Sequence, residues 1–153
     1  MPNLTSPRGR YFEEFEIGDV VETTSRTITE TDVVLFAGLS GDYNQLHTDA
    51  EFGKETMFGE RIAHGLLGLS VASGLASQLG FVEGTAQAFT DLEWKFRGPI
   101  KFGDTIHAQF EVEQKKEMKR LEGGFVTFKV AVLNQDDETV QKGEWRILIK
   151  SAP

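Results

Sequence analysis

The chain contains no cysteine and only three histidines among its 153 residues. Without cysteine it cannot form a disulfide framework, a thiolate zinc site or a cysteine nucleophile. Positive charge is also scarce, because 16 Lys and Arg stand against 24 Asp and Glu, for a formal net charge of −8. That balance argues against a nucleic-acid partner, since phosphate backbones require a basic surface. A small anionic ligand stays compatible with it, because a local basic patch can hold one.

Long hydrophobic runs are missing as well. The N-terminal residues lack the apolar segment of a signal peptide, and the most apolar stretch, residues 61–78, is too short and interrupted to cross a membrane. We therefore expect a cytoplasmic protein with no membrane partner. The length favours one domain. Residues 1–10 contain two prolines and no periodicity, so we predict a flexible arm there and a single domain over 11–153.

Three local elements are predicted before residue 57. They are a strand over residues 20–28, a short helix that begins at the capping box of Thr29 and Asp32 and ends near Gly38 or Gly41, and a brief helix from the capping box of Thr48 and Glu51 to about Thr56. The composition of residues 38–47 predicts a loop between the two helices.

Residues 62–79 predict a longer helix that is apolar nearly all round, and we expect it to be buried on most sides. It contains Gly65, Gly68 and Gly74. Each glycine costs about 1 kcal/mol in a helix interior. We therefore expect another group to approach the helix backbone closely at these positions.

The second half of the chain predicts four long strands, over residues 85–96, 105–114, 125–133 and 139–150. Apolar residues alternate in the last three, so each should present one apolar face, at positions 106–112, 126–132 and 145–149. An antiparallel sheet with a buried helix on one face is an α+β architecture. Its free edges need cover, and pairing of two copies would provide it, so we expect a homodimer.

Polar groups gather in the loop that contains Asp42, Asn44 and His47. A carboxylate and an imidazole that share one water molecule can orient it and accept its proton. Three alternatives stay open. The loop can be a plain connecting turn, it can bind a metal ion with Asp49, or a Ser-His-Asp triad can form with Ser70 or Ser73. The metal and triad alternatives are weaker, since no zinc, calcium-loop or GxSxG pattern is present.

The other two histidines differ in context. His107 lies in an alternating strand opposite the apolar set, so we predict that it faces solvent. His64 and Gly65 instead open the apolar helix. The first amides of a helix have no internal partners and carry the positive end of its dipole, so they could stabilise an oxyanion. The alternative is a helix end that water solvates.

Residues 36–50, FAGLSGDYNQLHTDA, resemble the hydratase-2 motif of the MaoC-like dehydratases, the (R)-specific enoyl-CoA hydratases. Residues 61–65, RIAHG, and residues 95–105 resemble later segments of that family, in the same order along the chain. Gln45 stands where the family usually has proline, which stiffens the loop. This departure is compatible with a different substrate subgroup.

The resemblance implies a hot-dog fold, a curved antiparallel sheet wrapped around the helix at residues 62–79. It also implies reversible syn addition of water to a trans-2-enoyl-CoA, giving an (R)-3-hydroxyacyl-CoA, with no cofactor besides the coenzyme A of the substrate. Asp42 and His47 would activate the water, and the Gly65 amide would polarise the thioester carbonyl. The further site residues that it implies are Asn44, His64 and Ser73.

Coenzyme A is polyanionic whereas the chain is acidic, so the positive charge that binds it must be local. The candidate phosphate-binding residues are Arg61, Lys95, Arg97 and Lys101, with solvated charges at strand ends as the alternative. Two other functions fit the same fold. One is an acyl-CoA thioesterase, and the other is a non-catalytic acyl-thioester binder or one subunit of a heteromeric dehydratase.

Overall fold

A computed structural model describes residues 8–153. Its helices are α1 (Glu30–Ser40), α2 (Gln45–Thr48), α3 (Ala50–Lys54) and α4 (Gly65–Leu79). Its strands are β1 (Val20–Glu22), β2 (Arg26–Thr27), β3 (Ala86–Phe96), β4 (Thr105–Met118), β5 (Gly123–Leu133) and β6 (Thr139–Lys150). The four long predicted strands are confirmed, with β4 extending four residues beyond its predicted end.

All paired strands are antiparallel, in the order β1-β4-β5-β6-β3, and β2 also pairs with β4. One face of the sheet packs against α4, and the core lies between them. The predicted apolar faces of β4, β5 and β6 form this core: Ile106, Ala108, Phe110, Val112, Val126, Phe128, Val130, Val132, Trp145, Ile147 and Ile149 are all buried. The α+β class and the hot-dog arrangement of a sheet around one long helix are thus confirmed.

Helix α4 is buried on one side only, so the prediction that it is buried on most sides is wrong for the chain by itself. Leu67 and Val71 face the sheet, whereas the side of the helix that carries Leu66 and several serines is exposed. The predicted close approaches occur at two of the three glycines. A Cβ on Gly65 or Gly68 would lie within 2.7 Å of a neighbouring side chain, whereas one on Gly74 would meet nothing within 4 Å.

The first predicted strand is divided into β1 and β2 at Thr23. The Thr23 hydroxyl accepts a hydrogen bond from the Ala108 amide (2.9 Å) and donates one to the Thr24 carbonyl, so a side chain takes part in the pairing there. This local competition is typical of threonine, and the β-branched pattern alone does not show it.

The helices of the first half differ in detail from the prediction. Helix α1 has the predicted capping box and ends at Gly41, which adopts the left-handed conformation (φ 78°). The predicted loop over 38–47 is partly helical, because α1 runs to Ser40 and α2 begins at Gln45. The second predicted cap is wrong: Asp49 rather than Thr48 caps α3, by accepting the first amides of that helix.

The predicted N-terminal arm lies mostly outside the described residues, as 1–7. Its last residues are fixed, since the amides of Gly9 and Arg10 donate to the carbonyls of Gly80 and Phe81 (2.8 and 2.9 Å). None of the helices in residues 8–153 is long and apolar enough to span a membrane.

Candidate functional site

The loop after α1 is shaped by its own polar side chains. The Asp42 carboxylate accepts the Asn44 amide (3.1 Å), and the Asn44 side chain accepts the Leu46 amide (3.0 Å) as the N-cap of α2. Such short Asp and Asn turns compete well with regular structure. They hold Asp42 and His47 on either side of one tight bend, and the Asn44 amide and side chain both take part in shaping it.

Residues 62–64 join this loop to α4 through backbone atoms. The Ile62 amide donates to the Leu46 carbonyl (3.3 Å), and the Ala63 amide donates to the Ile100 carbonyl (2.7 Å). The strand-like segment before α4 is therefore held between the polar loop and the residues that follow β3. This arrangement fixes where α4 begins relative to His47.

His47 has one defined tautomer. Its Nδ1 lies 2.7 Å from the Ile62 carbonyl oxygen, which can only accept, so Nδ1 carries the proton. In the neutral ring Nε2 is then an unprotonated acceptor, as a general base requires. The side chain is half-buried and borders an open cavity. The structure thus presents His47 as a proton acceptor at the cavity wall.

His64 lies behind His47 and does not line that cavity. It is 2% exposed, and its Nε2 donates to the Asp42 carbonyl (2.9 Å). Its ring packs on His47, with ring centroids 3.9 Å apart, and against Phe36 at 4.8 Å. Nδ1 has no hydrogen-bond partner within residues 8–153. His64 therefore supports the loop and the His47 ring, and the expectation that it contacts substrate directly is not met.

Ligand atoms of Asp42, His47 and His64 lie within 4.8 Å of one another. The rings are nevertheless stacked, at an interplanar angle of 30°. An imidazole binds a metal ion in the plane of its ring, so two stacked rings cannot both direct their lone pairs at one ion. The Asp49 carboxylate of the alternative metal site is engaged in capping α3. The geometry fits proton transfer and does not fit a metal centre.

The N-terminus of α4 is open. Its N-cap residue, His64, makes no capping hydrogen bond with its side chain. Within the described part of the chain, the amides of Gly65 and Leu66 have no acceptor, because the first hydrogen bonds of the helix come from Leu67 and Gly68. Two free N–H groups and the positive end of a 15-residue helix therefore meet at this point.

A cavity of about 740 Å³ brings the two features together. His47 and Gly65 both line it, so the proton acceptor and the free helix amides face the same space. Most of its remaining wall is apolar, including Met57, Phe96 and Ile100. Such a wall suits a hydrocarbon chain, while the few polar groups define where a reacting atom can sit.

The basic residues predicted to bind phosphate do not form one patch. Arg97 lines the cavity, but Arg61 pairs with Glu30 (2.8 Å) and Lys101 pairs with Glu60 (3.4 Å). Lys95 borders a separate groove on the sheet. The number of basic residues in these segments thus overestimates the local positive charge, because nearby carboxylates neutralise two of the four side chains.

The structure also changes what was expected of Ser73 and His107. Ser73 lies two turns along α4, where its hydroxyl donates to the Ser70 carbonyl, and it borders a second cavity of about 300 Å³. His107 does not simply face solvent, since it is only 12% exposed and its Nε2 lies 2.9 Å from a Glu22 carboxylate oxygen. That pair joins β4 to β1 away from the cavity.

Gln141 is a cavity residue that the sequence analysis missed. It is 1% exposed and lies in β6, where it lines the cavity beside Gly65. The alternation of β6 could have revealed its burial, because Gln141 lies on the same face of the strand as the buried Trp145 and Ile147. A polar residue in an apolar register marks a buried amide that must find partners.

Comparison with known proteins identifies the family of the chain. Residues 13–134 match the family described as MaoC like domain. Protein MaoC of Klebsiella aerogenes is 39% identical over a region that covers 71% of this chain and only 32% of that protein. The (R)-specific enoyl-CoA hydratase of Rhodospirillum rubrum is 34% identical over 78% of each chain. The structure of a monoamine oxidase regulatory protein from Archaeoglobus is 38% identical, covers 98% of this chain and 100% of that one, and superimposes with a TM-score of 0.91.

Proposed function

Because the chain belongs to the MaoC-like domain family, in which hydratases and dehydratases occur, we propose that it is an (R)-specific enoyl-CoA hydratase. One observation carries the proposal: His47 and the free amides of α4 line a single cavity. Hydration of an enoyl thioester needs a base for water and donors for an oxyanion, and this cavity offers both.

In the proposed reaction, a water molecule lies between the Asp42 carboxylate and Nε2 of His47. His47 takes a proton from the water as its oxygen bonds to the β-carbon of the enoyl group. The electron pair of the double bond moves towards the thioester, whose oxygen becomes an enolate. The amides of Gly65 and Leu66 stabilise that oxygen, and removal of one such donor typically costs 100-fold or more in rate.

The α-carbon then receives a proton from the same Asp42 and His47 pair. One water is consumed, with its hydroxyl on the β-carbon and a hydrogen on the α-carbon. Both groups arrive from one side because the same pair, whose ligand atoms lie within 4.8 Å of each other, handles both protons, which gives syn addition. The reverse sequence removes water, so the same residues serve a dehydratase.

For the substrate, we propose a coenzyme A thioester whose acyl group enters the apolar part of the cavity. Arg97 is the basic residue placed to meet the anionic coenzyme, since it lines the cavity and Arg61 and Lys101 have carboxylate partners. Ser73 would touch only an acyl chain that extends along α4 to the second cavity.

We also propose a homodimer that forms along β3. This 11-residue strand lies at the edge of the sheet and its residues are almost all exposed. Phe89, Leu92 and Phe96 are between 46% and 54% exposed on it. A long apolar edge strand is an aggregation hazard in a monomer, and a second copy would cover it.

The proposal is tested with crotonyl-CoA, by following the loss of enoyl absorbance. We expect Asp42→Asn and His47→Gln each to lower kcat at least 100-fold while the melting temperature stays close to that of the wild type. His107→Gln is the matched control, because it removes a histidine that lies outside the cavity, and it should retain full turnover. Near-normal activity of either site variant would overturn the assignment.

Analysis of the product in the same assay distinguishes a hydratase from a thioesterase and from a non-catalytic binder. Chiral analysis should give the (R)-3-hydroxy acid, and a thiol-reactive dye should detect no free coenzyme A. Release of the thiol would instead identify a thioesterase. Tight binding without any product, across a series of enoyl chain lengths, would identify a non-catalytic binder.

A further inference from the structure

Gln141 connects the sheet to the first turn of α4. Its side-chain Nε2 donates to the Gly65 carbonyl (3.0 Å), and its Oε1 accepts from the Trp94 indole N–H (3.0 Å). Gln141 is also the register partner of Phe96, whose ring lies against Gly65. One buried amide therefore ties β6 and β3 to the residue that opens the helix.

The helix is shaped to receive this amide. A Cβ on Gly68 would lie 2.5 Å from Nε2 of Gln141 and 2.6 Å from Cδ1 of Ile100. Glycine in a helix interior costs about 1 kcal/mol relative to alanine. A side chain at residue 68 would displace the Gln141 amide, so the hydrogen bond from Gln141 to Gly65 depends on the glycine at this position.

The hydrogen bond acts on a peptide group at the reaction site. The Gly65 carbonyl and the Leu66 N–H belong to the same planar peptide and point in opposite directions. In a helix the carbonyl points along the axis and the N–H points back towards the N-terminus. A donor on the Gly65 oxygen thus both orients the Leu66 N–H towards the cavity and polarises it, since linked hydrogen bonds strengthen one another.

We infer that Gln141 is a positioning residue for the oxyanion site. It holds the Gly65–Leu66 peptide so that its N–H faces the thioester oxygen, without itself contacting the reacting atoms. This inference rests on the proposed hydratase function for its catalytic consequence. The geometry of the peptide is a separate claim that can be measured without turnover.

Gln141→Met tests the inference, because it keeps the length of the side chain and removes its amide. We expect kcat for crotonyl-CoA to fall about tenfold or more, while KM changes less than threefold, since the lost interaction acts on the developing oxyanion. Trp94→Phe is the matched control. It removes the donor to Oε1 together with one ring of the indole, leaves the hydrogen bond from Gln141 to Gly65 in place, and should keep kcat within threefold of the wild type.

A second readout follows the Leu66 amide by NMR in labelled protein. We expect Gln141→Met to shift the Leu66 amide proton upfield, because its N–H loses polarisation, while Trp94→Phe shifts this proton much less. Gln141→Leu, which also removes the amide donor and is close to glutamine in size, replaces the methionine variant if that variant does not fold.

The outcomes separate the two claims. An unchanged kcat in the Gln141 variants, a loss confined to KM, or an equal loss in Trp94→Phe would overturn the positioning role. If the wild type hydrates no enoyl-CoA, the hydratase proposal fails, and the Leu66 resonance then decides whether Gln141 positions the peptide. An unmoved resonance would overturn that as well.

Discussion

At the scale of single residues, the site depends on an absent side chain as much as on those present. Gly65 exposes its amide because nothing projects from its Cα into the cavity. A Cβ there would lie 2.7 Å from two carbon atoms of the Phe96 ring. The contact is with a side chain and not with the backbone, so the ring can shift and the fold can absorb a methyl group where the site cannot.

We therefore expect Gly65→Ala to fold with a melting temperature near that of the wild type, because the gain in helix propensity offsets the contact with Phe96. Its kcat/KM should fall at least tenfold, since the methyl group and the displaced ring occupy the space of the thioester. Steady-state kinetics and a thermal melt measure the two effects.

Gly74→Ala provides the comparison for this variant. Its added Cβ would meet nothing within 4 Å, so it should stabilise α4 by up to about 1 kcal/mol without loss of activity. Equal kinetics for the two alanine variants would show that the Gly65 backbone is not approached by substrate.

At the scale of elements, helix α1 leads into the loop that carries Asp42 and His47, and charged groups fix where this helix begins. Asp32 accepts hydrogen bonds from the Thr29 amide and hydroxyl and forms an ion pair with Arg26 (2.6 Å). Partial burial pushes the pKa of Asp32 upward, but the hydrogen bonds from Thr29 and Arg26 outweigh it and keep this pKa below its ordinary value.

This depressed pKa has a defined effect on stability. The unfolded chain takes up the Asp32 proton first, so the contribution of the carboxylate is complete above the unfolded pKa of about 4 and is lost as pH falls through the lower folded pKa. We expect Asp32→Asn to be less stable than the wild type at neutral pH. Its free energy of unfolding should decline less steeply below about pH 4, as denaturant titrations will measure; parallel declines would contradict the linkage.

Sequence patterns predict the elements well where residues close together in the chain decide how the backbone folds. The capping box of Thr29, the turn at Gly41 and the alternation in β4 to β6 are local features, and each was predicted. The division between β1 and β2 was not, because it depends on the Thr23 hydroxyl meeting a residue 85 positions away. Long-range hydrogen bonds of this kind leave no local periodicity.

The candidate site likewise has features that could be predicted from local sequence and features that could not. The residue types at Asp42, His47 and Gly65 suffice to propose a base and an oxyanion site, and the structure brings the last two to one cavity. The carboxylate partners of Arg61 and Lys101 and the place of Ser73 depend on how separate segments pack. Pairing of charges across the fold is not encoded in the spacing of any one segment.

At the scale of the whole molecule, the exposed edge of β3 is the feature that a second copy would change. We expect the wild type to be a dimer by light scattering and Leu92→Lys to be a monomer, because a charge on the edge strand opposes pairing. Leu121→Lys is the matched control, since Leu121 is similarly exposed, at 42%, in the turn between β4 and β5. A dimeric Leu92→Lys variant would place the interface elsewhere.

The join between the polar loop and α4 has a consequence for redesign. It uses the main-chain atoms of residues 62 and 63, so its hydrogen bonds are kept when these buried side chains are exchanged for apolar ones that fit the same space. Both residues nevertheless border the cavity. A library of apolar residues at these two positions can therefore reshape the space for the proposed acyl group while His47 and Gly65 keep their mutual placement, which makes this short segment a rational starting point for altering the chain length that the proposed enzyme accepts.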